Sequence, residues 1–388
     1  MSYQLDSYDY ERHNQEVTAV WEAYRAGKPT RVPVILGVNP RAILLNPALN
    51  TDGVTFEQYS ENADIMARVQ LETQHYIRRH LLQDAEMGLP KDGWNVYADL
   101  QNYYEAAWFG APVEYRDGQV PDTTPVLVGD AKRSLFDKGF PDPFTGGAME
   151  RGWRLYEQMN ANMSSYSHSG LPVVSVGPPG GLGTDGPMTV ACSLRGATEF
   201  CLDFYEDPDY TRELLRYITE ATIYRIREWR KTLGHDPKPT CWGFADDSIE
   251  LLSVDMYVEF VLPFHKMLLS ELAGEGPHSV HLCGKVDRLM PVLQRELNIN
   301  AWDAGFPVDY GEIRKALGPK MQIHTGPKVS TLQCGTPEQV EAESRRILES
   351  GIMAGGKFIL REANNLSPCT PVENVAAMYE AAGKYGRY

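Results

Sequence analysis

Two side chains suited to metal binding stand two residues apart in His281-Leu282-Cys283-Gly284. Because successive side chains of a β-strand point to opposite faces, His281 and Cys283 share one face and Leu282 points away. An imidazole nitrogen and a thiolate sulfur suit zinc, a borderline-soft ion, and Gly284 permits a sharp turn into a following helix. A buried cysteine beside a histidine bonded to the backbone also fits this spacing, so the motif alone leaves both interpretations open.

Asp246 and Asp247 follow another strand-like run, TCWGFA. Adjacent side chains of a regular strand face opposite sides, so both carboxylates cannot face one substrate. We therefore expect one of them to cap the next helix, a common role of aspartate, and the other to be available to a substrate or a metal. Asp246 and Asp247 are the candidate catalytic residues.

The elements that would position these side chains alternate between short apolar runs and amphipathic segments. The runs predict strands, at residues 31–38, 171–176, 240–245, 279–283, 299–304, 321–324 and 357–360. The amphipathic segments predict helices, at residues 209–233, 254–272, 286–296, 310–317, 337–350 and 371–385. Alternation over this length indicates a parallel α/β sheet with right-handed crossovers, either a barrel or an open sheet.

Polar side chains follow six of the predicted strands, where both architectures gather their active groups. These positions are Asn39, Asp246 with Asp247, His281 with Cys283, Asp303, His324, and the run Glu362–Asn365. Six polar strand ends on one rim indicate an active site.

Length and composition place limits on the fold and on the partners. The 388 residues, 43% of them hydrophobic, contain no low-complexity linker, which favours one domain over residues 1–388 with an N-terminal helical extension at 1–30. A net charge of −15 argues against nucleic acid or an anionic membrane as the partner. The six cysteines form no CxxC pair and no signal peptide is evident, so we expect a cytoplasmic protein with reduced thiols.

The segment Gly181-Leu182-Gly183-Thr184-Asp185-Gly186 formally matches the dinucleotide-binding pattern GxGxxG. That pattern needs an acidic residue about 20 positions on, after a second strand. Asp203 lies at about that distance, but it belongs to FCLDFYEDP, a pattern that predicts the end of a helix. Pro178, Pro179 and Pro187 indicate a long rim loop instead of a nicotinamide site.

Several blocks of the chain together resemble the superfamily of uroporphyrinogen decarboxylase and the cobamide-dependent methyltransferases. They are GKPTRVPVILG (27–37), GPMTVACSLRGATEFCLDFYEDPDYTRELL (186–215), WGFADDSIELLSVDMYVEFVLPFHKMLL (242–269), HLCG (281–284) and TPVENVAAMYEAAGKYG (370–386). The resemblance implies a (β/α)₈ TIM barrel. HLCG is similar to the zinc motif of the methyltransferase branch, whose zinc activates a substrate atom while a methyl group moves to or from a corrinoid.

The resemblance implies His281 and Cys283 as two zinc ligands and a later cysteine as the third. That position falls near Asn364 in REANNLSPCTP, which leaves Cys369, five positions late, or Glu362 as the third ligand. An acidic ligand would favour an oxygen-bearing leaving group, as in ether O-demethylation. The expected substrate-binding residues are Asn39, His324, Glu362, Asn364 and Asn365.

The preferred hypothesis is a zinc-dependent methyltransferase that acts on a methoxy or thiol compound. Because the chain has no DxHxxG corrinoid motif, the corrinoid would be carried on a separate protein. Two alternatives stay open. One is a metal-free decarboxylase-like lyase in which Asp246 or Asp247 stabilises a protonated pyrrole-like centre; the other is a non-catalytic corrinoid or tetrapyrrole binder.

Overall fold

Five parallel strands form the sheet that carries the polar strand ends. The computed structural model describes residues 8–388. The strands in this range are β1 (Trp94–Tyr97), β2 (Val113–Glu114), β3 (Asp122–Thr123), β4 (Ser167–His168), β5 (Leu171–Gly177), β6 (Gly243–Ala245), β7 (His278–Leu282), β8 (Ile299–Ala304), β9 (Gln322–Thr325) and β10 (Phe358–Leu360). The large sheet has the order β10-β9-β8-β7-β6. Its register sets His281 beside Asp303 and Asp303 beside His324, so three polar side chains form one row.

A smaller sheet has the order β1-β5-β4, with β1 parallel to β5, and β2 pairs with β3 as a separate antiparallel ladder. Within residues 8–388, no strand ladder joins the smaller sheet to the large one. The fold is therefore an α/β fold with a five-stranded parallel sheet and a smaller sheet in which β4 runs antiparallel to β5.

The prediction of a regular strand at residues 31–38 is wrong. Only isolated bridges form there, at Arg31 and Val34. One edge of the segment does pair with β10, because the N–H of Ile35 donates to the carbonyl of Leu360. On its other edge, the segment is bonded to residues 83 and 84 through both backbone and side-chain groups instead of to a regular strand. The N–H of Val34 donates to Asp84 and that of Leu36 to Gln83.

Helices cover the sheets, and several of them begin with a side-chain cap. The helices within residues 8–388 are α1 (Tyr10–Arg25), α2 (Arg41–Leu44), α3 (Phe56–Glu61), α4 (Ala63–His80), α5 (Tyr104–Trp108), α6 (Ala148–Asn162), α7 (Pro187–Arg195), α8 (Ala197–Glu206), α9 (Pro208–Leu233), α10 (Val254–Met256), α11 (Leu262–Leu272), α12 (Met290–Leu297), α13 (Tyr310–Leu317), α14 (Val329–Cys334), α15 (Pro337–Ile347) and α16 (Val372–Tyr385). The longest, α9, starts with Asp207 accepting from the N–H of Tyr210 and ends at Gly234 in the left-handed region.

The predicted helix at 254–272 is one rod with a π-helical turn, Tyr257–Val261, between α10 and α11. The turn ends two residues before Pro263, which has no N–H to donate to an earlier turn. The predicted N-terminal extension at 1–30 is partly represented by α1, while residues 1–7 lie outside the described residues. Among residues 8–388, no helix is both long enough and apolar enough to span a membrane.

Candidate metal centre and active site

Three metal-donor side chains meet at the carboxyl ends of β6 and β7. One donor atom each from Asp247, His281 and Cys283 lies within 4.8 Å of the other two. Nε2 of His281 is 3.4 Å from Sγ of Cys283, and the backbone N–H of Cys283 donates to Oδ1 of Asp247 at 2.7 Å. Imidazole, thiolate and carboxylate are donors that zinc accepts in proteins, and three protein ligands leave a fourth position for a substrate. The residues present therefore fit a metal ion.

The orientation of His281 is set by a carboxylate on the neighbouring strand. Nδ1 of His281 lies 2.9 Å from Oδ2 of Asp303, which directs Nε2 towards Cys283. Arg361 holds Asp303 in turn, because its Nη1 donates to both carboxylate oxygens at 2.9 and 2.8 Å. A carboxylate behind a ligating histidine is the arrangement that fixes the ring and raises its basicity. This support is a further reason to regard the three donors as a metal site.

The electrostatics of the metal-free site agree with that geometry. Burial alone would lower the pKa of His281, but hydrogen bonds to Asp303 and Cys283 outweigh it and raise the pKa to about 10. Burial alone would raise the pKa of Asp303, but hydrogen bonding to His281 and the charge of Arg361 bring it below its usual range. Burial raises the pKa of Asp247. A metal ion at Nε2 therefore competes with a proton on His281.

Asp246 points away from its neighbour Asp247 and is fully buried. Its carboxylate accepts from the N–H groups of Met188 and Thr189 at 3.1 and 2.7 Å, and it contacts Nε2 of His265 at 2.9 Å. Asp246 thus caps a helix, as expected for one member of the pair, but the helix is α7, which precedes it in the chain. These contacts make Asp246 a support for the strand end that carries Asp247, and its predicted catalytic role stays a prediction.

Two cavities reach the metal donors. The strand-end cavity has a volume of about 440 Å³ and contains His281, Asp303 and His324 in its wall. The rim cleft has a volume of about 230 Å³ and contains Asp247. Of the predicted substrate-binding residues, His324 thus lies in a cavity wall, where burial lowers its pKa and favours the neutral imidazole.

Neither residue predicted as the third ligand joins the donor group, whose third member is Asp247. Cys369 is exposed, and its thiol contacts a backbone carbonyl at 3.8 Å. Glu362 is buried, and its Oε1 accepts from the N–H of Gly37 and from Nη2 of Arg361, both at 2.8 Å. Its Oε2 has no hydrogen-bond partner among residues 8–388. Burial outweighs the charge of Arg361 and raises the pKa of Glu362 to about 7.

The three predicted asparagines lie in the loops beside the segment 31–38 and β10. Oδ1 of Asn39 accepts from the N–H of Arg41 at 3.1 Å. The carbonyl of Asn364 accepts from Nη2 of Arg361 at 2.6 Å, and Asn364 has a φ of 137°, a strained value for a residue other than glycine. The amide of Asn365 leaves no room for a Cβ at Gly37. Their predicted substrate contacts stay predictions.

Asp303 and Arg361 have no specific role that follows from the sequence pattern alone. Asp303 was recognisable only as a polar strand end, and Arg361 follows the FIL run directly before Glu362. The contact between Asp303 and Arg361 spans 58 residues of chain. Only the pairing of neighbouring strands makes such partners apparent.

Comparison with known proteins adds a family. Residues 180–385 match the family model described as uroporphyrinogen decarboxylase (URO-D). The matched segment covers more than half of the 388 residues and includes Asp247, His281 and Cys283.

Curated relatives are similar at about a quarter of the aligned positions. A methylated-thiol–coenzyme M methyltransferase of Methanosarcina mazei is 26% identical over 275 residues, which cover 68% of this chain and 66% of the relative. A methylcobamide:CoM methyltransferase of the same organism is 27% identical over 139 residues, covering 36% and 39%. A uroporphyrinogen decarboxylase of Coxiella burnetii is 25% identical over 219 residues, covering 51% and 56%. The chain thus spans less than two thirds of the length of these relatives.

A solved structure shows the fold over nearly the whole chain. A methyltransferase from Methanosarcina mazei superposes with a TM-score of 0.62 at 18% sequence identity, covering 95% of this chain and 98% of the other. Given the match over residues 180–385, this chain belongs to the uroporphyrinogen decarboxylase family.

Proposed function

We propose that this chain is a zinc-dependent methyltransferase that demethylates a methoxylated small molecule and passes the methyl group to a corrinoid carried on a separate protein. The observation that carries the proposal is the meeting of Asp247, His281 and Cys283 within 4.8 Å at the carboxyl ends of adjacent parallel strands. Zinc held there would polarise a substrate oxygen as a Lewis acid.

The donor set supports oxygen over sulfur as the substrate atom. A thiolate-rich site prefers soft ligands, whereas replacing one sulfur by a carboxylate oxygen makes the site harder. Here Asp247 contributes an oxygen and Cys283 the single sulfur of the group. A methyl ether or its alcohol product suits such a site better than a thioether does.

The side chains around the donors have separate roles in this proposal. Asp303 and Arg361 keep His281 in the orientation that leaves Nε2 for the metal. The wall of the strand-end cavity, with His324, would hold the body of the substrate. The rim cleft beside Asp247 would admit the methyl acceptor.

The relatives support the methyl-transfer chemistry, since two of them are methyltransferases with methylated-thiol or methylcobamide substrates in their names. A cobalt(I) corrinoid needs a reducing compartment, and the six free cysteines of the described residues suit the cytoplasm. We therefore include a cytoplasmic location in the proposal.

We also propose that the five-stranded sheet, β1, β5 and the segment 31–38 form one eight-stranded barrel in a single domain, with the N-terminal helical region as an extension. The segment 31–38 pairs with β10 through the Val34–Leu360 bridge. Across the other gap, the N–H of Ala245 at the end of β6 donates to the carbonyl of Thr184, in the loop that follows β5. These two contacts support the proposed closure of the barrel.

The first experiment measures zinc in purified protein by elemental analysis and compares the wild type with Cys283→Ala. We expect near-stoichiometric zinc in the wild type and its loss in the variant. Zinc-loaded wild type is then mixed with cob(I)alamin and a panel of aryl methyl ethers, and formation of methylcobalamin is followed by absorbance. A wild type without zinc after zinc-replete expression would refute the proposal.

Decarboxylation of a tetrapyrrole is a second candidate because of Arg41. Its guanidinium is largely buried, and its Nε has no hydrogen-bond partner among residues 8–388. Burial lowers the pKa of Arg41, and the carboxylates of Asp99 and Asp185 oppose that shift. An arginine so placed could bind a substrate carboxylate. Metal-independent turnover of uroporphyrinogen would favour this candidate.

A further inference from the structure

The glycine-rich segment 181–186, which follows β5, is hydrogen-bonded to the end of β6. The carbonyl of Thr184 accepts from the N–H of Ala245 at 3.0 Å. Gly186 has a φ of 85°, and a Cβ there would collide with Asp246 and with the carbonyl of Ala245. The pattern that resembled a nucleotide loop therefore serves to bring one acidic residue, Asp185, close to the metal donors.

A buried ion pair holds the same segment from the other side. Nη2 of Arg225 donates to Oε1 of Glu105 and to the carbonyl of Gly183, both at 2.8 Å. Oε2 of Glu105 accepts from the backbone N–H of Asp185 at 2.6 Å and from the hydroxyl of Thr184 at 3.0 Å. Both charged side chains are fully buried. Because the backbone on each side is bonded, the position of the Asp185 side chain is determined by the core.

Asp185 is the acidic residue that the two cavities share. It lies in the wall of the strand-end cavity with His281 and in the wall of the rim cleft with Asp247. Within residues 8–388, its carboxylate has no hydrogen bond and no ion pair, whereas its backbone N–H is bonded to Glu105. A carboxyl group in this position faces the space that a substrate on the metal would occupy.

We propose that Asp185 is a catalytic residue that donates a proton to the substrate oxygen from which the methyl group is removed. This inference rests on the proposed function. The bond between the methyl carbon and the oxygen breaks, and the cobalt(I) electron pair forms the new bond to the methyl carbon. The oxygen keeps the electron pair of the broken bond and takes the proton of Asp185, and water then reprotonates the carboxylate.

The surroundings of Asp185 favour a carboxyl group that keeps its proton near neutral pH. Burial, followed by the negative charges of Glu105, Asp247 and Asp246, raises the pKa of Asp185 to about 7, against the opposing charge of Arg225. The charged and titratable groups that act on it come from four surrounding elements: Glu105 and Tyr104 of α5, Asp246 and Asp247 after β6, Arg225 of α9, and Arg41 of α2. A pKa near the working pH suits a general acid.

Other acidic groups of the two cavities are less suited to this step. Asp303 is bonded to Arg361 and His281 and has a lowered pKa, so it is a carboxylate. Asp247 is a metal donor in the proposed function. Asp255 is exposed and lines neither cavity, which makes it a matched control for Asp185.

The experiment compares Asp185→Asn with Asp255→Asn in zinc-loaded protein, using aryl methyl ethers whose phenol products differ in acidity. For weakly acidic phenols we expect Asp185→Asn to lower the rate of methyl transfer about 10²- to 10⁴-fold, the usual contribution of a general acid. For strongly acidic phenols, whose anions leave without a proton, the loss should shrink below about tenfold. Asp255→Asn should match the wild type throughout, and Asp185→Glu should recover part of the rate.

A binding measurement gives a readout besides turnover. Asp185→Ala should weaken binding of the phenol product, measured by calorimetry, about tenfold through the loss of one hydrogen bond. An active wild type with an Asp185→Asn variant that is equally slow for all leaving groups, or not slow at all, would overturn the inference alone. A wild type that is inactive with every ether would overturn the proposed function and this inference with it.

Discussion

The identity of the third metal ligand can be tested by replacing Asp247 with asparagine. The substitution keeps an oxygen that accepts the N–H of Cys283, a bond of 2.7 Å in the wild type. It removes the negative charge that would bind the metal. The local structure at the end of β6 should therefore persist while the affinity for zinc falls.

The expected size of the effect follows from the number of donors. Structural zinc sites with four ligands bind with about 10–16 kcal/mol, which is about 3 kcal/mol for each ligand. The cluster offers three donors within 4.8 Å of one another, so loss of one donor is not compensated by a fourth. Because an asparagine oxygen is a weaker donor and not an absent one, we expect the dissociation constant of zinc to rise about 100-fold.

The assay titrates zinc into metal-free protein against a chromophoric chelator, so that dissociation constants below the protein concentration can be measured. Cys369→Ser and Glu362→Gln serve as matched controls, since each alters a candidate third ligand outside the cluster. Both controls should bind zinc within about threefold of the wild type, a difference under 1 kcal/mol. If Asp247→Asn binds normally and Cys369→Ser does not, the assignment of Asp247 is refuted.

Three further predictions concern the support of the site and the fold. Asp303→Asn, which weakens the partner of His281, should raise the zinc dissociation constant about 10- to 100-fold in the same titration, whereas the exposed Asp255→Asn should leave it unchanged. Arg225→Met leaves Glu105 buried without its cation and should lower the free energy of unfolding by about 3–5 kcal/mol in urea titrations; a loss below about 1 kcal/mol would contradict the burial argument. Burial raises the pKa of Glu362 to about 7 in the folded chain, whereas the carboxyl group of the unfolded chain loses its proton near pH 4.5. Stability should therefore fall by about 3 kcal/mol as pH rises from about 4.5 to 7. The difference in stability between Glu362→Gln and the wild type across that range measures this contribution, and a difference independent of pH would contradict it.

Most of the later half of the fold could be predicted from local pattern. The strand at 299–304 agrees with β8 (Ile299–Ala304), and the helix at 209–233 agrees with α9 within one residue. Both are long enough for apolar spacing to identify them. The four-residue strand β1 (Trp94–Tyr97) was not predicted, because so short a run has no clear period and its partner β5 lies more than 70 residues away. The segment 31–38 failed for a related reason, since its apolar pattern is strand-like while its hydrogen bonds go partly to side chains.

The sequence by itself determined that His281 and Cys283 share one face of a strand, because side-chain alternation is a property of the local backbone. It also determined that Asp246 and Asp247 point in different directions, which the structure shows. Only the tertiary structure decided that Asp247 completes the donor group, that Asp303 orients His281, and that Arg361 holds Asp303. These contacts join residues 36, 22 and 58 positions apart. They depend on which strands lie side by side and in what register, and that is set by packing of the whole core and not by any local pattern.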